Sequence, residues 1–157
     1  MTAPRIRTPC IGICSTTYGG DVCRGCRRFA HEIIDWNAYS EEQKQLVWDR
    51  LTRLVDDVVA PRLHIFDPDL MAQTLRSLGV RYHADQSPSF GAVELLRALG
   101  HQRLDLSRFG LVVMPAWNSL APGELYREIT DDLLVRSEAA WDLHHGRARR
   151  LLQNWDG

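Results

Sequence analysis

Apolar residues recur at helical spacing along most of the chain. Leu46, Val47, Leu51, Leu54, Val55 and Val58 form one stripe across Glu41–Val59, the pattern of an amphipathic helix. Ser40-Glu-Glu-Gln43 in front of it has the form of a capping box, and Pro61 behind it stops it. Two shorter helices are predicted by a shared device, an N-cap residue followed by a first-turn proline and, later, a terminal glycine. Asp67-Pro68 opens the first, with Leu70, Met71, Leu75 and Leu78 apolar and Gly79 at its end. Ser87-Pro88 opens the second, with Phe90, Val93, Leu96 and Leu99 apolar and Gly100 as the stop.

Three further segments complete the pattern. Phe29, Ile33 and Trp36 share one face of a helix predicted from about Arg27 to Trp36 and are expected to pack over the residues before it. Leu111-Val-Val-Met114, between Gly110 and Pro115, is the clearest strand-like run, with Val80-Arg-Tyr82 as its candidate partner. From Pro122 to about Asn154, Leu125, Ile129, Leu133, Trp141, Ala148, Leu152 and Trp155 recur near helical spacing. Gly146 and the phase change at Leu133-Leu-Val135 predict a bend there or a division into two helices.

The expected fold is therefore mostly α: an irregular amino-terminal four-cysteine knot over residues 1–36, then a helical body over 37–157 with at most a small two-stranded element. The body divides into a long helix at 37–60 and a bundle at 61–157. A length of 157 residues with 45% hydrophobic content suffices for one sizeable core. With 19 basic and 20 acidic residues the chain has no general pull toward nucleic acid or anionic lipid. No apolar run approaches the length of about 18 residues that a membrane-spanning helix needs.

Chemistry concentrates at one end. All four cysteines lie within the first 26 residues, as Cys10-Ile-Gly-Ile-Cys14 and Cys23-Arg-Gly-Cys26, and the other 131 residues contain none. Four thiolates in a C-x3-C…C-x2-C arrangement match a tetrahedral zinc site or an iron–sulfur cluster. Tyr18-Gly-Gly-Asp21 between the pairs supplies a reversal that would bring them together. Disulfides would require an oxidising compartment. No apolar signal stretch follows Arg5 and Arg7, so a cytoplasmic, reducing setting is expected. A thioredoxin-like pair would need a βαβ context that Cys23–Cys26 lacks.

Residues 1–28 carry Arg5, Arg7, Arg24, Arg27 and Arg28 against the single acid Asp21, a local formal charge of +4. One reading makes Arg24, Arg27 and Arg28 a counter-charge that holds the thiolates deprotonated. The other makes them phosphate or partner contacts on a zinc-ribbon-like nucleic-acid module. His31 is expected to face solvent rather than replace a cysteine ligand. Glu41, Glu42, Asp49, Asp56 and Asp57 are expected to form a solvated helix face. His144 and His145, followed by Arg147, Arg149 and Arg150, sit about 100° apart on a helix and suit a charge-favourable helix end better than a shared metal. Trp117 and Asn118 are candidate pocket residues.

The stretch Pro9–Trp36 resembles a bacterial family of unknown role, domain of unknown function 1289, whose members are labelled predicted iron–sulfur proteins. Pro9, Cys10, Gly12, Cys14, Gly19, Cys23, Gly25, Cys26, Arg28, Ile33 and Trp36 carry the resemblance, which continues to about residue 42; Thr8 and Val22 depart from it. It implies a bound cluster or metal at the four cysteines and names no reaction.

Together these readings predict a small metal-binding protein, cytoplasmic, with Cys10, Cys14, Cys23 and Cys26 as ligands. Its cofactor is an iron–sulfur cluster or one zinc ion. The cluster would serve electron transfer or iron and redox sensing; zinc would clip together a module that binds a protein partner, or nucleic acid through the arginines. No phosphate loop, dinucleotide fingerprint, metallohydrolase motif or nucleophile elbow is present, which points away from an enzyme.

Overall fold

Five α-helices and one two-stranded antiparallel sheet make up the computed structural model, which describes residues 6–10 and 21–146. In chain order these are α1 (Ala30–Ile34), α2 (Glu41–Val59), β1 (Leu63–Ile65), α3 (Pro68–Ser77), α4 (Pro88–Leu99), β2 (Leu111–Val113) and α5 (Pro122–Trp141). Short 3-10 turns at Trp36–Ala38, Leu106–Phe109 and Pro115–Trp117 join them, and a π-helical turn, Asp142–Gly146, follows α5. The mostly α expectation with a small sheet therefore holds. The glycine reversal at 18–20, Ile11, Ile13 and Cys14, and the segment 147–157 with Arg147, Arg149, Arg150, Leu152 and Trp155, lie outside the described residues. Among those described, no helix is long and apolar enough to cross a membrane.

The chain forms two compact units, one comprising Met1–Trp48 and Leu133–Gly157 and the other Asp49–Asp132. In the second, α3 packs on α4 and α4 against β1. Leu51, Val55, Val58, Met71, Leu75, Leu95, Leu96, Leu111, Leu125 and Ile129 are all essentially inaccessible to solvent. Gly91 marks the close approach of α4: a Cβ there would stand 3.1 Å from Leu75 Cδ1 and 3.1 Å from Met71 Cε.

The helix starts are built as the sequence indicates. The Ser40 amide donates to Gln43 Oε1 at 2.9 Å while the Gln43 amide donates to Ser40 Oγ at 3.2 Å, closing the capping box of α2. Asp67 accepts from the Leu70 amide at 3.1 Å and Ser87 from the Ser89 amide at 3.4 Å. Ser87 also donates to Asp56 Oδ1, so that acid anchors the start of α4 rather than standing on a solvated face. Glu41, Glu42, Asp49 and Asp57 are exposed as expected.

Four expectations are corrected. Leu46 is 67% exposed; the buried stripe of α2 runs through Lys44, Val47, Trp48, Leu51, Val55, Val58 and Val59, and Leu46 lies about 100° round the helix from Val47. The partner of β2 is Leu63-His-Ile65, paired Leu63 with Val113, His64 with Val112 and Ile65 with Leu111, whereas residues 80–82 form no strand. The pairing is extended by Met114 N–H donating to the Arg62 carbonyl at 2.8 Å and Phe66 N–H to the Gly110 carbonyl at 3.0 Å. The helix predicted over 27–36 is reduced to α1, because Cys23–Arg28 are committed to a tight loop and the chain tightens into a 3-10 turn at Trp36. Finally, α5 continues through Leu133-Leu-Val135 without a break, and the irregularity falls at Asp142–Gly146. Leu133 and Ile129 stay on its buried side while Val135 is left 64% exposed.

Candidate metal centre

Cys23-Arg-Gly-Cys26-Arg-Arg28 folds into a reversed loop whose ends are tied together. Val22 and Phe29 form an antiparallel bridge. Inside it the Cys23 amide donates to the Arg28 carbonyl at 2.9 Å and the Arg27 amide to the Cys23 carbonyl at 2.7 Å; outside it the Ala30 amide donates to the Asp21 carbonyl at 2.9 Å. Arg27 has φ +63°, the one non-glycine residue in the left-handed region among those described. That conformation costs an arginine about 1–2 kcal/mol, and here it turns the chain back sharply enough to close the loop.

The closure brings two sulfur atoms together. Cys23 and Cys26 are both buried on this loop. The neighbouring Cys23 side chain, and after it burial, pushes the Cys26 thiol well above the ordinary thiol range, while Arg28 pulls in the opposite direction. The Arg28 guanidinium donates from Nε to Cys26 Sγ at 3.2 Å. Its other face lies over Trp36, 5.1 Å from the ring centroid, and Lys44 Nζ stands 5.8 Å from the same ring. Lys44 is in turn paired with Glu41 at 3.2 Å.

Local packing holds the loop in place. Phe29 and Trp36 are buried, as the shared-face pattern predicts. The Phe29 amide at the start of α1 donates to the buried Glu32 carboxylate at 2.8 Å, which satisfies one of the open amides of a helix start. Trp48 Nε1 donates to the Arg7 carbonyl at 2.9 Å and the Ile6 amide to Glu41 Oε2 at 2.8 Å, fixing the segment that leads into Cys10. Lys44, Glu32 and Trp48 carry no signal in the sequence beyond ordinary helix composition, and their roles emerge only from packing.

The candidate residues are distributed unevenly. Cys23 and Cys26 are side by side; Cys10 is exposed; Cys14 lies outside the described residues. None of Cys10, Cys23 and Cys26 is in a disulfide. No group of three or more metal-ligating side chains is assembled among the described residues. Of the three arginines proposed as phosphate contacts, Arg24 is exposed and Arg27 half-buried, but Arg28 is only 3% exposed and faces sulfur, which removes it from that patch.

His31 is also corrected: instead of pointing freely to solvent it joins a ring cluster, 6.0 Å from Phe29, 5.8 Å from Trp141 and 5.1 Å from His145. His145 stacks on Trp141 at 4.3 Å while His144 is exposed, so the two neighbours diverge as their helical offset requires. Trp117 does not open onto a pocket on its Arg62 side, where the guanidinium covers its ring at 4.7 Å.

The donor set fits a soft metal centre as far as it is described. Two adjacent, water-shielded sulfurs on one loop are the ligand type that zinc and iron–sulfur clusters take, and a cation in contact with one of them offsets thiolate charge. Cys23 and Cys26 would supply two of the four ligands. No curated protein and no solved structure matches the chain. Residues 8–54, which take in all four cysteines, Arg28, Trp36, Lys44 and the greater part of α2, match the family described as Protein of unknown function (DUF1289), the family that the cysteine motif resembles.

Proposed function

We propose that this chain is a metal-binding protein whose amino-terminal segment holds an iron–sulfur cluster on Cys10, Cys14, Cys23 and Cys26. The observation that carries the reading is the Cys23–Cys26 loop: a left-handed Arg27 and a closed hydrogen-bond circuit hold two buried cysteines on one tight turn. Such strain in a polar loop is retained where a ligand rewards it. Cys10 and Cys14 complete the set, and binding orders a stretch too short to build its own core.

The cluster supplies one-electron chemistry when bound, which suits electron transfer or the sensing of iron and redox state. The chain's own contribution is to shield the centre with Val22, Phe29 and Trp36 and to offset its charge with Arg28. A reducing, cytoplasmic setting and a protein partner complete the proposal. Zinc on the same four thiolates is the second reading; it makes the centre a structural clip, and the closed backbone circuit around Cys23–Arg28 favours it. Burial of Arg28 weakens the nucleic-acid reading, which leaves Arg24 and Arg27 alone to meet phosphate.

Anaerobic purification followed by metal analysis and visible spectroscopy separates the two. Iron, acid-labile sulfide and a visible charge-transfer envelope support the cluster. Colourless protein with one zinc per chain replaces it with the clip, and protein that retains neither metal after reconstitution removes both.

A further inference from the structure

Arg28 combines two features that rarely coincide. It is 3% exposed, and its side chain donates to a sulfur, Cys26 Sγ, from Nε at 3.2 Å. A guanidinium is always charged, and taking it out of water costs several kcal/mol unless an anion or strong acceptors meet it. A neutral thiol is a weak acceptor. A metal-bound thiolate is a strong one, and it brings the missing negative charge. The geometry is also held from behind: the guanidinium lies 5.1 Å from the centroid of Trp36, and the Arg28 carbonyl accepts from the Cys23 amide at 2.9 Å. One residue is thus bonded to both cysteines of the loop, to Cys23 through its backbone and to Cys26 through its side chain.

We propose that Arg28 is the positioning residue of the centre, a buried hydrogen-bond donor and counter-charge that sets how tightly the Cys23–Cys26 loop retains its metal. The assignment rests on the metal–thiolate reading above and extends it from the ligands to the group behind them. It applies to zinc and to a cluster alike, because both present anionic sulfur to the guanidinium. Partners behind metal ligands commonly change affinity by about 10- to 100-fold when removed, and hydrogen bonds to the sulfurs of a cluster also move its potential.

The test uses the full-length chain, stripped of metal under anaerobic reducing conditions and titrated with Co(II). Thiolate ligation appears as sulfur-to-cobalt charge-transfer bands, and competition with a chelator gives the affinity. The Arg28→Met variant should bind cobalt about 10- to 100-fold more weakly. Its charge-transfer band should move to lower energy, because the remaining sulfur electrons are no longer held by a donor. The Arg28→Lys variant, which keeps the cation without the planar fork, should recover part of the affinity. If the Met variant loses its helical circular dichroism, Arg28→Gln carries the same comparison with a side chain that is polar and uncharged. A wild-type chain that binds cobalt with thiolate bands, alongside a folded variant with the same affinity and an unmoved band, overturns this inference alone. A wild-type chain that develops no thiolate bands overturns the metal reading and the assignment of Arg28 with it.

Discussion

Arg28 and Arg62 are both buried arginines, one in each compact unit, and their charges are met in different ways. Arg62 donates from one nitrogen to Asp132 Oδ2 at 2.9 Å and to the Val58 carbonyl at 2.9 Å, with its ring-like face over Trp117. The carboxylate balances its charge within the unit. Arg28 also lies over a tryptophan, but its side-chain acceptor is the sulfur of Cys26. The first arrangement is electrically complete as it stands, whereas the second becomes complete when the sulfur is anionic. A carboxylate is charged at neutral pH without help; burial favours the protonated Cys26 thiol, and a bound metal would displace that proton.

The same contrast appears in the apolar packing. Among the described residues, only Leu133 of the largest fully buried side chains belongs to the unit that contains the cysteines, and the rest fall within Asp49–Asp132. The cysteine unit buries Arg28, Glu32 and Lys44 beside Phe29, Trp36 and Trp48. A core of aliphatic residues stabilises by removing area from water, roughly 25 cal/mol for each Å². A segment that buries charge and sulfur gains less from that source, so a bound ligand would have more to contribute to it.

Removing a ligand should give the largest effect and the most direct attempt to break this comparison. The Cys23→Ser variant is expected to lose its bound metal, measured by elemental analysis, and to speed amide exchange across residues 21–36. Protection in α3 and α4 should be unchanged, and the helical circular dichroism largely retained. Cys14→Ser should release the metal in the same way, and unchanged stoichiometry in either variant would remove that residue from the ligand set.

Damage to the aliphatic unit should do the reverse. Leu95 is fully buried, and Leu95→Ala is expected to cost about 2–5 kcal/mol in urea unfolding with metal content unaltered. Gly110 tests a backbone device in the same unit. It has φ +84°, and a Cβ would run into the Asp67 carbonyl, so Gly110→Ala should cost about 2–4 kcal/mol through a strained left-handed residue and a displaced start of α3. The smallest effect belongs to the capping box. Ser40→Ala should lower stability by about 1 kcal/mol and leave cobalt affinity untouched, which would separate ordinary helix stability from stability supplied by the centre.

The amino-acid order alone determined α2 with both its ends, the cap-and-proline starts of α3 and α4, the strand at Leu111–Val113 and the crowding of cysteines, because each is written in residues within a few positions of one another. Capping, proline geometry and helical periodicity act over one or two turns, so local sequence is enough to state them. What lies opposite each element was settled only by folding. Leu63-His-Ile65 is too short to show alternation, and it becomes a strand because β2 and the Gly110 carbonyl are there to pair with it. Leu46 and Val47 look alike in the pattern, yet packing buries Val47 and leaves Leu46 outside. In the sequence Arg24, Arg27 and Arg28 are alike candidates for counter-charge or phosphate contact; the reversal at Arg27, which sets the Arg28 guanidinium between Cys26 and Trp36, singles out Arg28. Burial and partnership depend on distances between segments that the chain brings together in three dimensions, and no spacing along the sequence encodes them.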